Sequence, residues 1–89
     1  MSYVLRLGEL AVFQERLSFI AFKLRSAIIH ATNEGEMTVN FNLSGLEPFE
    51  YEAVRELIRL VANHSLEGAV KEIRELKEEQ TIIIVLRTV

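Results

Sequence analysis

Eighty-nine residues with four Gly, one Pro and no Cys fit one domain, 1–89, with no room for a long flexible linker. Hydrophobic residues at 49% exceed what a disordered segment carries, and a formal net charge of −3 argues against nucleic acid as a general partner, because phosphate backbones attract positive surfaces. The lack of cysteine excludes a disulfide scaffold and a thiolate zinc site, and makes a cytoplasmic protein the expectation.

The segment from Met1 to Gly8 has no basic region leading into an apolar run and a small-residue cleavage site, so it does not read as a signal peptide. Asn42-Leu43-Ser44 and Asn63-His64-Ser65 then read as chance matches to the glycosylation sequon. The most apolar stretch, Leu10 to Ala31, is interrupted by Glu15, Arg16, Lys23 and Arg25, which speaks against a membrane span. Richness in Glu, Arg, Leu and Ile with few Gln suits a thermophilic source.

Tyr3, Leu5 and Leu7 share one side of residues 2–7, a period of two that predicts a short strand ended by Gly8. From Glu9 to about Thr32 the period changes. Leu10, Phe13, Leu17, Ile20, Leu24, Ala27 and Ala31 recur three and four apart, the spacing of one helical face. Thr32-Asn33-Glu34-Gly35 closes this long N-terminal helix, since Asn and Gly tolerate the left-handed conformation found at helix ends. Met37, Val39, Phe41 and Leu43 then alternate with Thr38, Asn40 and Asn42, predicting a strand with one wet face or an edge position.

Pro48 suits the first turn of a second helix, with Glu50 and Glu52 near its positive end. Phe49, Ala53, Val54, Leu57, Ile58 and Val61 follow at helical spacing, and Asn63-His64 ends the element. Residues 65–79 admit two readings. Leu66, Ala69, Val70, Ile73 and Leu76 fit a helical face supported by Glu67–Lys71 and Arg74–Glu78 pairs, with Ser65 as cap. The rival is a strand over about 69–76 in a hairpin, but Ala69, Lys71, Ile73 and Glu75 would share one side, and Glu78-Glu79-Gln80 lacks the Gly or Asn of a tight turn. Helix is the favoured reading, despite Gly68. Thr81 to Arg87 is an unbroken β-branched run, expected as a central strand buried on both faces. The sum is a two-layer α+β domain: three or four strands (2–7, 36–43, 81–88 and perhaps 69–76) against two or three helices.

The first helix carries a second stripe. Val12, Phe19, Phe22 and Ile29, helped by Ala11, lie on the flank away from the main one. Leaving four such side chains in water forgoes roughly 6–12 kcal/mol, comparable to a domain's whole stability, so something covers them. The chain's own helices or another copy of the chain are the two candidates.

Chemistry is sparse. His30 lies near the end of helix one with Glu34 and Glu36 beyond, and His64 lies at the end of helix two with Glu67 beyond. No His-x-x-x-His or Cys pair starts a metal site, and histidines near helix C-termini are electrostatically favourable without any further role. Ser44-Gly45 between a strand and a helix lacks the Gly-x-Ser-x-Gly pattern, and no glycine-rich phosphate loop occurs. No catalytic, metal or cofactor-binding residue is therefore assigned. The alternating charges from Lys71 to Glu79 read as a solvated helix face.

Thr38-Val39-Asn40-Phe41-Asn42-Leu43-Ser44-Gly45-Leu46-Glu47, followed by a helix with Val54, Leu57 and Leu60, resembles the central strand–turn–helix of the anti-sigma-factor antagonist (STAS) domains. That resemblance implies a regulatory role, exercised in the family through a phosphorylatable serine in an Asp-Ser-x-Gly turn before the helix. Here the turn reads Glu47-Pro48-Phe49-Glu50, without serine, and the remaining chain is short for that family's further strands and helices. No site residue is carried over. The expected function is a non-enzymatic interaction or regulatory module that forms a homodimer or larger assembly through helix one, with a further protein partner possible. The alternatives are a small enzyme with a composite subunit-interface site drawn from His30, Glu34, His64 and Ser44, or a divergent STAS-like regulator. Membrane binding by helix one is the weakest reading.

Overall fold

The computed structural model describes residues 2–7, 17–65 and 68–87. In chain order these form β1 (Ser2–Arg6), α1 (Leu17–Asn33), β2 (Thr38–Asn42), α2 (Pro48–Leu60), a π-turn at Val61–Ser65, β3 (Val70–Leu76), a 3-10 turn at Lys77–Glu79 and β4 (Thr81–Leu86). The strands make one mixed sheet in the order β1-β2-β4-β3, with β1 and β2 parallel and the other pairs antiparallel. The described residues are thus α+β, with four strands and two helices.

Both helices lie on one face of the sheet. Ile20, Leu24, Ala27, Ile28 and Ala31 of α1 meet Val54 and Ile58 of α2 over Val39, Phe41, Ile82 and Ile84 of the central strands. The shortest dimension, 19 Å, is that of one sheet and one helical layer at about 10 Å each. Among the described residues no helix covers the second sheet face. Its rows follow from the register: Thr38, Val85 and Glu72; Val4, Asn40, Ile83 and Arg74; Arg6, Asn42, Thr81 and Leu76.

Local chemistry explains the helix ends. After α1, Gly35 takes a φ of 73°, and Glu36 N–H reaches back to the Ala31 carbonyl at 2.9 Å, the closing bond of a Schellman motif. At α2, Glu47 N–H donates to Glu50 Oε1 at 2.8 Å and Pro48 occupies the first turn, where its missing N–H costs nothing.

Several expectations need correction. Within the described residues the first helix begins at Leu17 and spans 17 residues, about 26 Å; the part expected over 9–16 lies outside them. No third helix forms over 65–79 within the described residues, because 70–76 is strand β3. A register shift between Val70 and Glu72 explains why the pattern looked helical. The extra residue of the bulge puts Val70 and Ile73, three apart, on the same sheet face, which imitates a helical period. The hairpin turn dispenses with glycine because Gln80 itself takes the left-handed conformation, at φ 50°.

The C-terminal strand is central, as its β-branched run predicts, but only Ile82, Ile84 and Leu86 are fully buried. Thr81, Ile83 and Val85 are half-buried on the open face. Strand β2 is interior rather than at an edge, and Met37, just before it, is exposed rather than part of the core.

Candidate interaction surface

At about 100° per residue, the buried positions of α1 define a sheet-facing line through Leu24, Ala31 and Ile20. Phe22 and Ile29 point roughly the opposite way. Phe22 is 61% exposed and Ile29 is half-buried. Val12 lies outside the described residues, and the side chain of Phe19, although on α1, does too. Lys23 and Arg25 flank Phe22 and are exposed, and no acidic residue occurs in Leu17–Asn33.

Helix α2 presents a matching outer face. Val54, Ile58 and Val61 face the core, with Tyr51 and Leu57 packed beside them. Phe49, Glu52, Glu56 and Leu60 fall well over 100° away from that line by the helical period. Phe49 is 68% exposed and Leu60 53%. Phe49 follows the helical spacing of Ala53, Val54, Leu57, Ile58 and Val61 but lies on the outer side with exposed Ala53. The helical rotation alone separates Phe49 from Val54 by about 140°. Phe22, Phe49 and Leu60 thus expose large apolar area on the outer side of the helical layer. The open sheet face exposes Val4 and Leu76, but interleaves its apolar groups with Thr38, Asn40, Asn42, Thr81, Glu72 and Arg74. Alternation of this kind suits a wetted sheet.

His30 is exposed at the last turn of α1, Glu34 is exposed just beyond it, and His64 is exposed in the π-turn. Ser44 is exposed in the β2–α2 turn, where its backbone N–H donates to Asn42 Oδ1 at 3.0 Å. Among the described residues no group of three or more acidic or histidine side chains could hold a metal ion. No helix among them is long and apolar enough to cross a membrane.

The structure instead gathers a polar cluster that sequence spacing does not reveal. Glu75 of β3, with a side chain 12% exposed, lies under α2. It accepts a hydrogen bond from Tyr51 Oη at 3.0 Å and pairs with Arg55 at 3.5 Å and Arg59 at 3.8 Å. Arg55 also pairs with Glu52 and, at 3.7 Å, with Glu56, while its Nε is buried without a hydrogen-bond partner. Burial, then the hydrogen bond and the negative charge of Glu75, push the Tyr51 phenol above its ordinary pKa. Tyr51 and Glu75, with Pro48, Glu52, Lys77 and Gln80, line an open cleft of about 340 Å³. Every acid in the cluster already has a cationic or hydroxyl partner, so the group ties α2 to the edge strand rather than presenting an unmet charge. On the open face, the hydrogen bond from Arg74 holds the Glu72 carboxyl below its usual range.

The strand–turn–helix over 38–60 that resembles the STAS domains does form, as β2, a turn through Gly45 and α2, but an antiparallel hairpin follows it. No protein-family model, no curated protein and no solved structure matches the chain.

Proposed function

We propose that this protein is a non-enzymatic interaction and regulatory module that self-associates through α1, forming a homodimer. The observation that carries the reading is Phe22, an aromatic side chain 61% exposed on the face of α1 turned away from the core, with Ile29 two turns further along the same line. Covering a side chain of this kind is worth about 1.5–3 kcal/mol, and a two-fold interface counts it twice. A cytoplasmic setting suits the cysteine-free composition.

The test is Phe22→Glu. Because Phe22 lies outside the core, the variant keeps its fold, and the expected result is a lower mass in solution together with a lower melting temperature at equal concentration. Unchanged mass and melting temperature would end the proposal.

A further inference from the structure

We infer that β3 is a second place where copies of this chain meet: the edge strand pairs antiparallel with β3 of another copy, about a two-fold axis through Ile73 normal to the sheet.

The backbone of the edge is the first support. β3 ends the sheet, with no described strand beyond it. Arg87 N–H donates to the Ala69 carbonyl at 2.9 Å, whereas Leu86 N–H donates to the Met37 carbonyl, also at 2.9 Å. Odd-numbered residues of β4 therefore turn their backbone groups toward β3, and their partners Glu72, Arg74 and Leu76 turn theirs inward. Ile73 and Glu75 alternate with these and aim N–H and C=O at the outer edge, the row on which an added strand forms.

Side chains select both the partner and the register. An axis normal to the sheet keeps each face on its own side, so one residue of the strand meets its own copy. At Lys71, Glu72, Arg74 or Glu75 that sets a charge against itself, and an axis at Val70 or Leu76 leaves most of the strand unpaired. At Ile73 it sets Ile73 against Ile73, Glu72 against Arg74 and Lys71 against Glu75. Every charge then faces an unlike one, so the strand is complementary to itself. Each copy keeps its own Glu72–Arg74 hydrogen bond, and the two pairs close a ring of four alternating charges on the face that no described helix covers. Ile73, half-buried against the core, gains a second apolar neighbour.

Features that blunt an edge leave this centre accessible. The bulge lies before Glu72, and the inward charge of Glu75 is already met by Tyr51, Arg55 and Arg59. One strand pair is a narrow contact, so the pairing is weak and transient and adds to the α1 dimer at higher concentration.

Cross-linking and amide exchange test it, the first in the Phe22→Glu chain so that α1 plays no part. The chain has no cysteine, so Ile73→Cys places a single thiol on the axis. Its copy lies about 5.5 Å away between Cα atoms, within disulfide reach. Leu76→Cys on the same strand lies about 20 Å from its copy and serves as the control. Under mild oxidation Ile73→Cys is expected to form two-chain disulfide about ten-fold faster than Leu76→Cys. In the unsubstituted strand, exchange of the Ile73 amide is expected to slow as concentration rises, and Arg74→Glu, which makes the ring wholly acidic, is expected to remove that dependence. Equal cross-linking at the two positions, or Ile73 exchange that ignores concentration, overturns the inference and leaves association through α1 standing. Concentration-dependent protection at Ile73 in a Phe22→Glu chain supports it, whatever becomes of the α1 dimer.

Discussion

Glu75→Gln probes the tie between α2 and the edge strand with almost no change of volume. The amide keeps an acceptor for Tyr51 Oη and loses the charge facing Arg55 and Arg59 at 3.5 and 3.8 Å. Raw Coulomb attraction at such distances is about 4 kcal/mol per pair at an effective dielectric of 20, but desolvation of both partners cancels most of it. Arg59 is half exposed, so its share is small. Arg55 keeps Glu52 and Glu56, so the variant does not strand a buried cation. The expected loss is about 1–1.5 kcal/mol, or about 5–10 °C in melting temperature for a domain of this size. Thermal and urea unfolding, at the same protein concentration for both chains, measure it, with the urea slope unchanged. A loss under about 0.3 kcal/mol would mean that the carboxylate behaves as ordinary solvated surface. A loss above about 4 kcal/mol would mean that Arg55 depends on Glu75 alone; either result refutes the reasoning.

Tyr51→Phe removes the phenol whose pKa burial and Glu75 raise. A raised pKa contributes stability that is complete below the unfolded value, about 10, and is lost as pH climbs through the folded value. The variant is therefore expected to lose about 1 kcal/mol at neutral pH and to show a shallower decline of melting temperature above pH ~10. Parallel declines would contradict the assignment. Gln80→Gly relieves a left-handed residue in the hairpin turn and is expected to stabilise by about 0.5–1 kcal/mol in urea unfolding. Destabilisation would show that the Gln80 side chain holds the turn.

What the sequence made legible was what regular repetition encodes. Leu24, Ala27 and Ala31 in α1, the alternation through Val39 and Phe41, and the β-branched run at residues 82–85 all announce their elements because each obeys one period. Residues 70–76 broke that condition. A bulge at the start of the strand shifts its phase, so Val70 and Ile73 share a face at a helical spacing that conceals the strand. Glu75 also argued against a strand, since a charge facing the core reads as an error until Tyr51, 24 positions earlier, supplies its partner. No local window contains that pairing. The surface reading fared differently on its two helices. Phe22 is legible as an outward aromatic, whereas the exposure of Phe49 is masked by its helical spacing with the residues that follow it.

The absolute mass in solution, by light scattering behind a sizing column over a hundredfold range of concentration, tests the central claim most directly. A single chain is 10.2 kDa, so monomer and dimer separate clearly. The account predicts a two-chain mass that falls toward one chain on dilution. A constant one-chain mass at every concentration would contradict it and return Phe22 to the status of an isolated exposed side chain.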